Sequence, residues 1–296
     1  MSTERPPGAI EVVPRQALPR PALPPSAELT RRLSASPLLV ALDIDGTLAP
    51  IAPTPPEAAV PEQTRRVLER LADLPAVHIA FVTGRAALDG RRLVNVPRGW
   101  TIGNHGMELI DPHGALRVDA SVESFAPVMA LAAQRLRQPL GSIPGVIIED
   151  KTWTISVHVR LAARADVPAV ERAITDIARE LDLRVIRGKE IYELRPPIQI
   201  HKGTALLALA TMLHVRDPSG AVTGSLMYAG DDRTDEDAFR ALRSLAGGAV
   251  TVHVNAAAPP EGLATEAELI VRDPAAVCEL LEWLAAIWEA RQGRHA

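Results

Sequence analysis

The sequence predicts an α/β fold in which a doubly wound parallel sheet carries a smaller antiparallel sheet as an insertion. Short, wholly apolar runs alternate with helical segments towards both ends of the chain, and such runs are typical of strands buried on both faces. Between them, apolar and polar residues alternate along a segment, which indicates a strand with one exposed face. The 296 residues are enough for about two domains.

The first third of the chain predicts a proline-rich tail followed by alternating strands and helices. Seven prolines lie between residues 6 and 25, and they favour a disordered tail over residues 1–35, with at most one helical turn near its end. Beyond the tail, the pattern predicts a strand over 37–43, a helix over 57–74, and strands over 78–83 and 100–103. This succession is typical of a doubly wound sheet.

The middle of the chain has a different pattern. Trp153, Ile155, Val157 and Val159 alternate with polar residues, so one face of this strand is expected to contact solvent. The segment as a whole predicts a small antiparallel sheet with two helices on one side. Its elements are a helix over 124–138, strands over 146–149 and 153–160, a helix over 166–182, and strands over 183–187 and 191–194.

Alternation of helix and buried strand resumes after residue 200, so the middle block is an insertion. The pattern predicts a helix over 202–213, a strand over 225–229, a helix over 234–245, a strand over 249–254 and a helix over 274–290. We therefore predict a core domain formed by residues 36–118 and 199–296, with residues 119–198 as the inserted domain.

Composition limits the classes of function. The net charge of −4 and the scarcity of aromatic residues (3%) give no support to binding of nucleic acid. No apolar run approaches the roughly 18 residues of a membrane span, and no secretory signal is recognisable. A single cysteine, Cys278, excludes an intramolecular disulfide framework and fits a reducing compartment. We expect a soluble, cytoplasmic protein.

Two carboxylates follow the first predicted strand. Asp43 and Asp45 are separated by one residue and followed by Gly46 in a tight turn, at the edge of the sheet where ligands of α/β proteins bind. The first carboxylate is placed to act as a nucleophile and metal ligand, and the second as a general acid and base. The alternative is a solvated Asp/Gly turn.

An acidic cluster follows the buried strand over 225–229. Asp231, Asp232, Asp235 and Glu236 lie within six residues, and such a cluster repels itself unless a cation is bound. Oxygen ligands alone suit Mg²⁺. The alternative is an acidic first turn of the next helix, stabilised by the helix dipole; this alternative fits Glu236 better than it fits Asp231.

Two shorter signals complete the pattern. Thr83, Gly84 and Arg85 end the second core strand and offer a hydroxyl and backbone amides to an oxyanion, although an ordinary strand-to-helix turn has the same residues. Lys202 opens a helix ahead of the acidic strand, and its alternative is a surface lysine.

The four signals in this order resemble the haloacid dehalogenase superfamily of aspartate-nucleophile phosphatases, and further motifs resemble its trehalose-6-phosphate phosphatase family. The resemblance covers about residues 36–284 and implies a Rossmann-like core with a mobile cap. The motifs that carry it are Asp43–Ile51, Gly230–Glu236, Gly103–Glu108, Glu149–Lys151 with Ser156–Arg160, Gly188–Lys189 and Glu193–Pro196.

The resemblance implies a role for each catalytic residue. Asp43 would attack phosphorus and become an aspartyl-phosphate, and Asp45 would protonate the leaving sugar oxygen and then deprotonate water. Thr83 and Lys202 would neutralise the phosphoryl oxygens. The implied Mg²⁺ would be held by Asp43, the main-chain carbonyl of Asp45, and Asp231, with Asp235 anchoring its water shell.

The resemblance also implies that polar groups of the cap and of the core–cap border bind the sugar, which carries hydroxyls and no charge beyond its phosphate. The expected binding residues are Gly84, Arg85, Asn104, His105, Glu108, Glu149, Lys151, His158, Arg160, Lys189 and Glu193. For Asn104 the alternative is a structural left-handed turn, and for His158 and Arg160 it is an exposed sheet face.

We predict hydrolysis of trehalose 6-phosphate, the second step of trehalose synthesis. The alternatives are a related phosphatase acting on sucrose phosphate or mannosyl-phosphoglycerate, and an inactive regulatory module that binds the sugar phosphate. Neither nucleic acid nor a membrane is an expected partner, and contact with the trehalose-phosphate synthase is left open by the sequence.

Overall fold

The computed structural model describes residues 19–188, 190–245, 248–255 and 265–293. The strands within these ranges are Arg20–Pro21 (β1), Leu38–Leu42 (β2), Val77–Val82 (β3), Trp100–Gly103 (β4), Glu108–Ile110 (β5), Leu116–Val118 (β6), Ile147–Asp150 (β7), Ile155–His158 (β8), Arg184–Gly188 (β9), Ile191–Arg195 (β10), Ser225–Gly230 (β11), Val250–Val254 (β12) and Leu269–Val271 (β13). The α-helices are Ala27–Arg32 (α1), Glu62–Asp73 (α2), Ala87–Val94 (α3), Ala120–Glu123 (α4), Ala126–Leu140 (α5), Val167–Glu180 (α6), Lys202–Met212 (α7), Asp235–Arg243 (α8) and Pro274–Gln292 (α9).

The core is a nine-stranded sheet with the order β1-β13-β12-β11-β2-β3-β4-β5-β6. The strands from β1 to β4 in this order are parallel, as predicted, whereas β5 and β6 pair antiparallel with their neighbours. The sequence did not reveal β5 and β6 because each contains only three residues, too few for a periodic pattern.

Helices cover both faces of this sheet, because alternate residues of a strand point to opposite sides. Leu38, Val40 and Leu42 of β2 belong to the apolar layer that includes α2 and α9. Leu39 and Ala41 belong to the layer on the other face, with α7 and α8. All five residues of β2 are completely buried, so the α/β prediction is confirmed at its central strand.

The inserted sheet is antiparallel, with the order β7-β8-β10-β9. Ile155 and Val157 pack with α5 and α6 on one face, as predicted. The expectation that the polar face contacts solvent is wrong at Thr154 and Ser156, which are fully buried. This face is turned towards the core, where the Thr154 hydroxyl donates to the Asn104 side chain at 2.8 Å.

The predicted tail is partly ordered, because residues 19–35, for which disorder was expected, contain a strand and a helix. Strand β1 pairs with β13 at the edge of the core sheet, and α1 coincides with the single helical turn that the sequence allowed. The indole N–H of Trp288 in α9 donates to the Leu33 carbonyl at 2.8 Å and fixes the end of α1. Residues 1–18 of the predicted tail lie outside the described residues.

Helix α2 also starts later than predicted, since Ala58–Pro61 precede it in a non-helical conformation and the helix begins at Glu62. None of the helices in the described ranges is long and apolar enough to cross a membrane.

The contact between Trp288 and Leu33 gives a test of the ordered amino-terminal segment. We expect Trp288→Phe to lower the free energy of unfolding by about 1–2 kcal/mol, because a buried carbonyl loses its donor. Trp283→Phe, on the same helix at a half-buried position, is the matched control and should cost less than half as much. Urea denaturation of both variants measures the difference, and equal losses would contradict the assigned role.

Candidate active site

The predicted catalytic segments meet at the carboxyl edge of the core sheet. Strand β2 lies between β11 and β3, so Asp43, Thr83 and Asp231, which follow these three strands, are brought together. Lys202 joins them from the start of α7. This is the point of a doubly wound sheet at which the strand order reverses, and ligands of such folds bind there.

Lys202 is buried between two carboxylates. Its ammonium donates to Asp43 Oδ1 at 2.6 Å and to Asp235 Oδ1 at 2.7 Å. Burial alone would lower the pKa of Lys202, but Asp235 and Asp43 raise it well above its usual value. Lys202 is therefore charged at neutral pH and is not the surface lysine of the alternative interpretation.

Asp235 organises the loop that follows β11. Its Oδ1 accepts from Lys202 and from the Tyr228 hydroxyl, and its Oδ2 accepts from the backbone N–H groups of Asp231 and Asp232, both at 3.0 Å. Burial raises the pKa of Asp235 to about 6, against the opposing effect of Lys202. With both oxygens engaged, Asp235 holds Lys202 and the loop in place.

Asp231 has the properties expected of a cation ligand. Its Oδ1 is buried and has no hydrogen-bond partner among the described residues. Burial and the nearby Asp43 raise the pKa of Asp231 to about 10. A Cβ on Gly46, where φ is +86°, would lie 2.0 Å from Asp231 Oδ2, so only glycine allows the two motif loops to approach this closely.

The carboxylates of Asp43, Asp231 and Asp235 can place one oxygen each within 4.8 Å of one another. This group of oxygens is compatible with a divalent metal ion. The unpartnered oxygen of Asp231 provides the independent indication, since a bound cation would remove the cost of burying its charge.

Asp45 does not join this group of carboxylates. Its two oxygens accept from Arg85 Nε at 2.7 Å and Nη2 at 2.6 Å, a bidentate ion pair. The same guanidinium donates twice to the Pro55 carbonyl, at 3.1 and 3.0 Å. Arg85, expected to bind substrate, thus holds Asp45 against the 51–58 segment in this structure.

A cavity of 290 Å³ opens above these residues, between the carboxyl edge of the core sheet and the polar face of the inserted sheet. Most of the predicted site residues line it. They are Asp43, Asp45, Thr83, Gly84, Arg85, His105, Glu149, Lys151, His158, Arg160, Glu193, Lys202 and Asp231. Lys189 lies outside the described residues.

Glu193 is the centre of the charge network on the cap side of the cavity. Its carboxylate accepts from Lys151 at 2.6 Å, from Arg195, and from His105 Nε2 at 3.1 Å. Burial would raise the pKa of Glu193, but His105, Lys151 and Arg195 hold it well below its usual value. Burial lowers the pKa of His105 to about 4, against the effect of Glu193, so His105 is neutral and its Nε2–H is the donor.

The other charged side chains of the cap that line the cavity are also paired. Glu149 contacts His158 Nε2 at 3.0 Å. Arg160 donates to Glu190 at 3.1 Å and, across the cavity mouth, to the Ala52 carbonyl at 2.8 Å. His158 is partly buried at the cavity, whereas Arg160 lines the cavity but is exposed, as its exposed-face alternative predicts.

Two predicted binding residues are not at the cavity. The Asn104 amide donates to the Lys151 carbonyl at 3.1 Å and accepts from Thr154, so it joins the core to the cap. Its φ of +46° agrees with the left-handed turn that the sequence offered as the alternative. Glu108 is also engaged elsewhere, since its carboxylate accepts from the Ala87 N–H at 2.6 Å and caps the start of α3.

The sequence predicted no role for Tyr228 or Glu190, and it included Arg195 only as part of the 193–196 motif. Tyr228 and Arg195 contact Asp235 and Glu193, respectively, and Glu190 pairs with Arg160. Arg195 lies two residues from Glu193 on one strand, on the same face, and Tyr228 is the one hydroxyl-bearing aromatic residue in a buried strand. The spacing of Arg195 from Glu193 and the position of Tyr228 in a buried strand could have indicated that these two residues belong to the site.

The profile of the trehalose-phosphatase family matches residues 41–269. The chain belongs to the trehalose-phosphatase family. A trehalose-phosphate phosphatase of Mycobacterium avium (strain 104) is 39% identical over 256 residues, covering 86% of this chain and 63% of the relative. The chain therefore spans less than two thirds of the length of this relative.

Solved structures agree with the family. A trehalose-6-phosphate phosphatase related protein has a TM-score of 0.72 and 26% identity, covering 86% of this chain and 99% of its own. A haloacid dehalogenase-like hydrolase from Bacteroides thetaiotaomicron has a TM-score of 0.56 and 16% identity, covering 83% and 98%, and shares the fold.

The buried carboxylates predict a pH-dependent stability without metal. The pKa of Asp231 is about 10 in the folded protein, against 3.8 ordinarily. At any pH between these two values, Asp231 holds a proton in the native state that it has lost in the unfolded state. The free energy of unfolding should therefore fall as pH rises from 5 to 8, by at most about 1.4 kcal/mol per pH unit for this group.

Urea denaturation in EDTA at several pH values measures this slope. Asp231→Asn should flatten it, although Asp43, whose pKa is also raised by burial, will leave a residual slope. Saturating Mg²⁺ should flatten the slope of the unmodified protein too. The same slope in the protein and in Asp231→Asn would contradict this assignment.

Proposed function

We propose that this protein hydrolyses trehalose 6-phosphate to trehalose and phosphate through an aspartyl-phosphate. The observation that carries the proposal is the contact of Lys202 with Asp43, beside the unpartnered carboxylate of Asp231, in a chain of the trehalose-phosphatase family. A nucleophilic carboxylate buried next to an ammonium suits phosphoryl transfer, which depends mainly on positioning and on neutralising charge.

In the first half of the reaction, Asp43 attacks phosphorus in line and the bond from phosphorus to the sugar oxygen breaks. Lys202 contacts Oδ1 of Asp43, and we assign the other oxygen as the attacking atom. Lys202 and Thr83, which both line the cavity, neutralise the phosphoryl oxygens. Burial raises the pKa of Asp43 well above its usual value, so its carboxylate form depends on nearby positive charge.

Asp45 supplies the proton that the leaving sugar oxygen takes up. It then removes a proton from the water that cleaves the aspartyl-phosphate, which restores Asp43 and releases phosphate. Because a bidentate guanidinium stabilises the carboxylate form, Asp45 must leave Arg85 in order to carry a proton to the substrate. The exposed fraction of the Asp45 side chain, 36%, leaves room for this movement.

The divalent ion that we propose is Mg²⁺, held by Asp43, Asp231 and the main-chain carbonyl of Asp45. When bound, Mg²⁺ would supply positive charge to the phosphoryl oxygens. Asp235, already hydrogen-bonded on both oxygens, would anchor the surrounding shell through its hold on Asp231 and Lys202.

The cap side of the cavity would bind the sugar. Glu149, His158, Lys151 and Glu193 offer donors and acceptors in pairs, and a disaccharide hydroxyl can both accept from and donate to such a pair. Lys189 and Arg160 remain proposed ligands of the same sugar. The Lys151 ammonium donates to the Gly84 carbonyl at 2.7 Å, and this contact supports sugar recognition next to the proposed phosphoryl site.

We also propose that residues 119–198 act as a cap on a core formed by residues 36–118 and 199–296. Helices α4 to α6 and strands β7 to β10 all fall within residues 119–198.

A cytoplasmic location is proposed from the single cysteine. Contact with the trehalose-phosphate synthase is proposed only because the two reactions are consecutive, and co-sedimentation with that enzyme tests it.

Release of phosphate from a panel of sugar phosphates, with and without Mg²⁺, tests the proposed function. We expect kcat/KM for trehalose 6-phosphate to exceed that for sucrose phosphate and mannosyl-phosphoglycerate, and activity to disappear in EDTA. Preference for another ester would support the related-phosphatase alternative. Binding of trehalose 6-phosphate without turnover would support the regulatory module.

Two aspartate variants separate the nucleophile from the acid. Asp43→Asn should abolish hydrolysis of every ester. Asp45→Asn should lower kcat/KM for trehalose 6-phosphate by about 10²–10⁴, but should lower kcat/KM for an aryl phosphate much less, because a phenolate leaves without a proton. We use kcat/KM because it ends at departure of the alcohol and does not include the later hydrolysis of the aspartyl-phosphate, in which Asp45 acts as the base. Parallel assays of the two substrates measure this split, and equal losses of kcat/KM on both substrates would exclude Asp45 as the general acid.

A further inference from the structure

Apolar side chains are concentrated at the mouth of the catalytic cavity. Seven large apolar side chains are exposed among the described residues, and three of them line this cavity. They are Ile51, Ile147 and Leu161, exposed by 53%, 38% and 56%. Single exposed apolar residues are ordinary, whereas a group of them at a cleft is typical of a ligand-binding surface.

Two walls form this mouth. The core wall is the segment from Ile51 to Ala58, and the cap wall comes from β7, β9, β10 and the residues after β8. We name the apolar lining of both walls the apolar collar; it consists of Ile51, Pro53, Ile147, Leu161, Ile186 and Ile191.

Two contacts bring the parts of the collar together. The Arg160 guanidinium donates to the Ala52 carbonyl at 2.8 Å and so joins the cap wall to the core wall. Within the cap wall, a Cβ on Gly145, where φ is +81°, would lie 2.0 Å from the Leu161 carbonyl. Glycine at this position therefore lets the segment before β7 lie against Leu161.

The cavity is amphiphilic along its depth. Lys202, Asp43 and Asp231 lie at the carboxyl edge of the core sheet, and Lys151 and Glu193 lie on the face of the cap sheet. The collar side chains themselves form no hydrogen bonds, and the charged side chains of the same mouth, Arg160 and Glu190, are paired with each other. A disaccharide has hydroxyls on every ring and therefore uses such a surface poorly, whereas an alkyl group would be desolvated there.

We propose that the site also accepts phosphate monoesters whose alcohol carries an alkyl chain, with the phosphate at Lys202 and the chain on the apolar collar. The proposal rests on the proposed phosphatase function and extends its range of substrates. The reaction is the same hydrolysis, in which the ester and water give the alcohol and phosphate. The collar belongs to a cavity of 290 Å³, which favours a small ligand over a protein segment.

A series of n-alkylphosphonates from ethyl to hexyl tests the collar, because their C–P bond is not hydrolysed. Binding is measured by calorimetry with Mg²⁺ present, and so it does not depend on turnover. Full burial of one methylene strengthens binding about fourfold, and the half-exposed collar should give about twofold per methylene. From ethyl to hexyl we expect Kd to fall about sixteenfold.

Paired variants locate the effect. Ile147→Ser combined with Leu161→Ser should remove most of the dependence of Kd on chain length. Leu131→Ser changes an apolar residue of the cap that is similarly exposed, at 39%, but does not line the cavity, and it should leave that dependence unchanged. Circular dichroism checks that all variants are folded.

The outcomes separate this proposal from the phosphatase function. A Kd that does not change with chain length, or a loss of the dependence in Leu131→Ser, overturns the collar as a binding surface. If chain-length dependence is present but trehalose 6-phosphate is not hydrolysed, the collar stands and the proposed function fails. If the dependence is present and hexyl phosphate is hydrolysed more efficiently than ethyl phosphate, the extended substrate range is supported.

Discussion

The buried ammonium of Lys202 between Asp43 and Asp235 is the interaction on which the arrangement of the site depends. An ammonium with so little contact with water requires anionic partners, and carboxylates with so little contact with water require a cation. Each group therefore fixes the position of the others. Asp235 also accepts hydrogen bonds from the backbone N–H groups of residues 231 and 232 and from the Tyr228 hydroxyl. One hydrogen-bond network therefore holds together the start of α7, the end of β11 and the end of β2.

One ammonium does not balance the negative charge gathered there. Asp231 lies close to Asp43 and has a buried oxygen without a hydrogen-bond partner in the described part of the chain. The pKa of Asp231 is raised because ionising this buried carboxyl group next to Asp43 is unfavourable. A divalent cation would remove that cost and make the same carboxylate a strong ligand. The same unbalanced negative charge would hold a divalent cation, and that cation, together with Lys202 rather than the carboxylates, would neutralise an anionic ligand.

On the cap side, by contrast, the charged groups that face the cavity are paired with one another. Lys151 with Glu193, His158 with Glu149 and Arg160 with Glu190 form pairs that a neutral, hydroxylated ligand can enter by exchanging hydrogen bonds. The Asn104 amide donates to the Lys151 carbonyl and the Lys151 ammonium donates to the Gly84 carbonyl, so these pairs lie over the carboxyl edge of the core sheet. The charge imbalance at the core and the charge balance at the cap divide the cavity into a part that favours a cation and a part that favours a neutral, hydroxylated group.

By itself, the sequence determined the α/β class, the inserted antiparallel sheet and the polar residues at the strand ends that line the cavity, because burial on both faces of a strand and turns at strand ends leave local patterns. Asp43, Thr83, Lys202 and Asp231 could be assigned in this way, since parallel strands end at one edge. Only the tertiary structure decided which side chains contact each other. It showed that Asp45 pairs with Arg85, that Glu108 caps α3, and that Asn104 joins the core to the cap. It also showed that Thr154 and Ser156 are buried, although their alternation predicts an exposed face. Local alternation gives the face of a strand on which a residue lies, whereas long-range packing determines what covers that face.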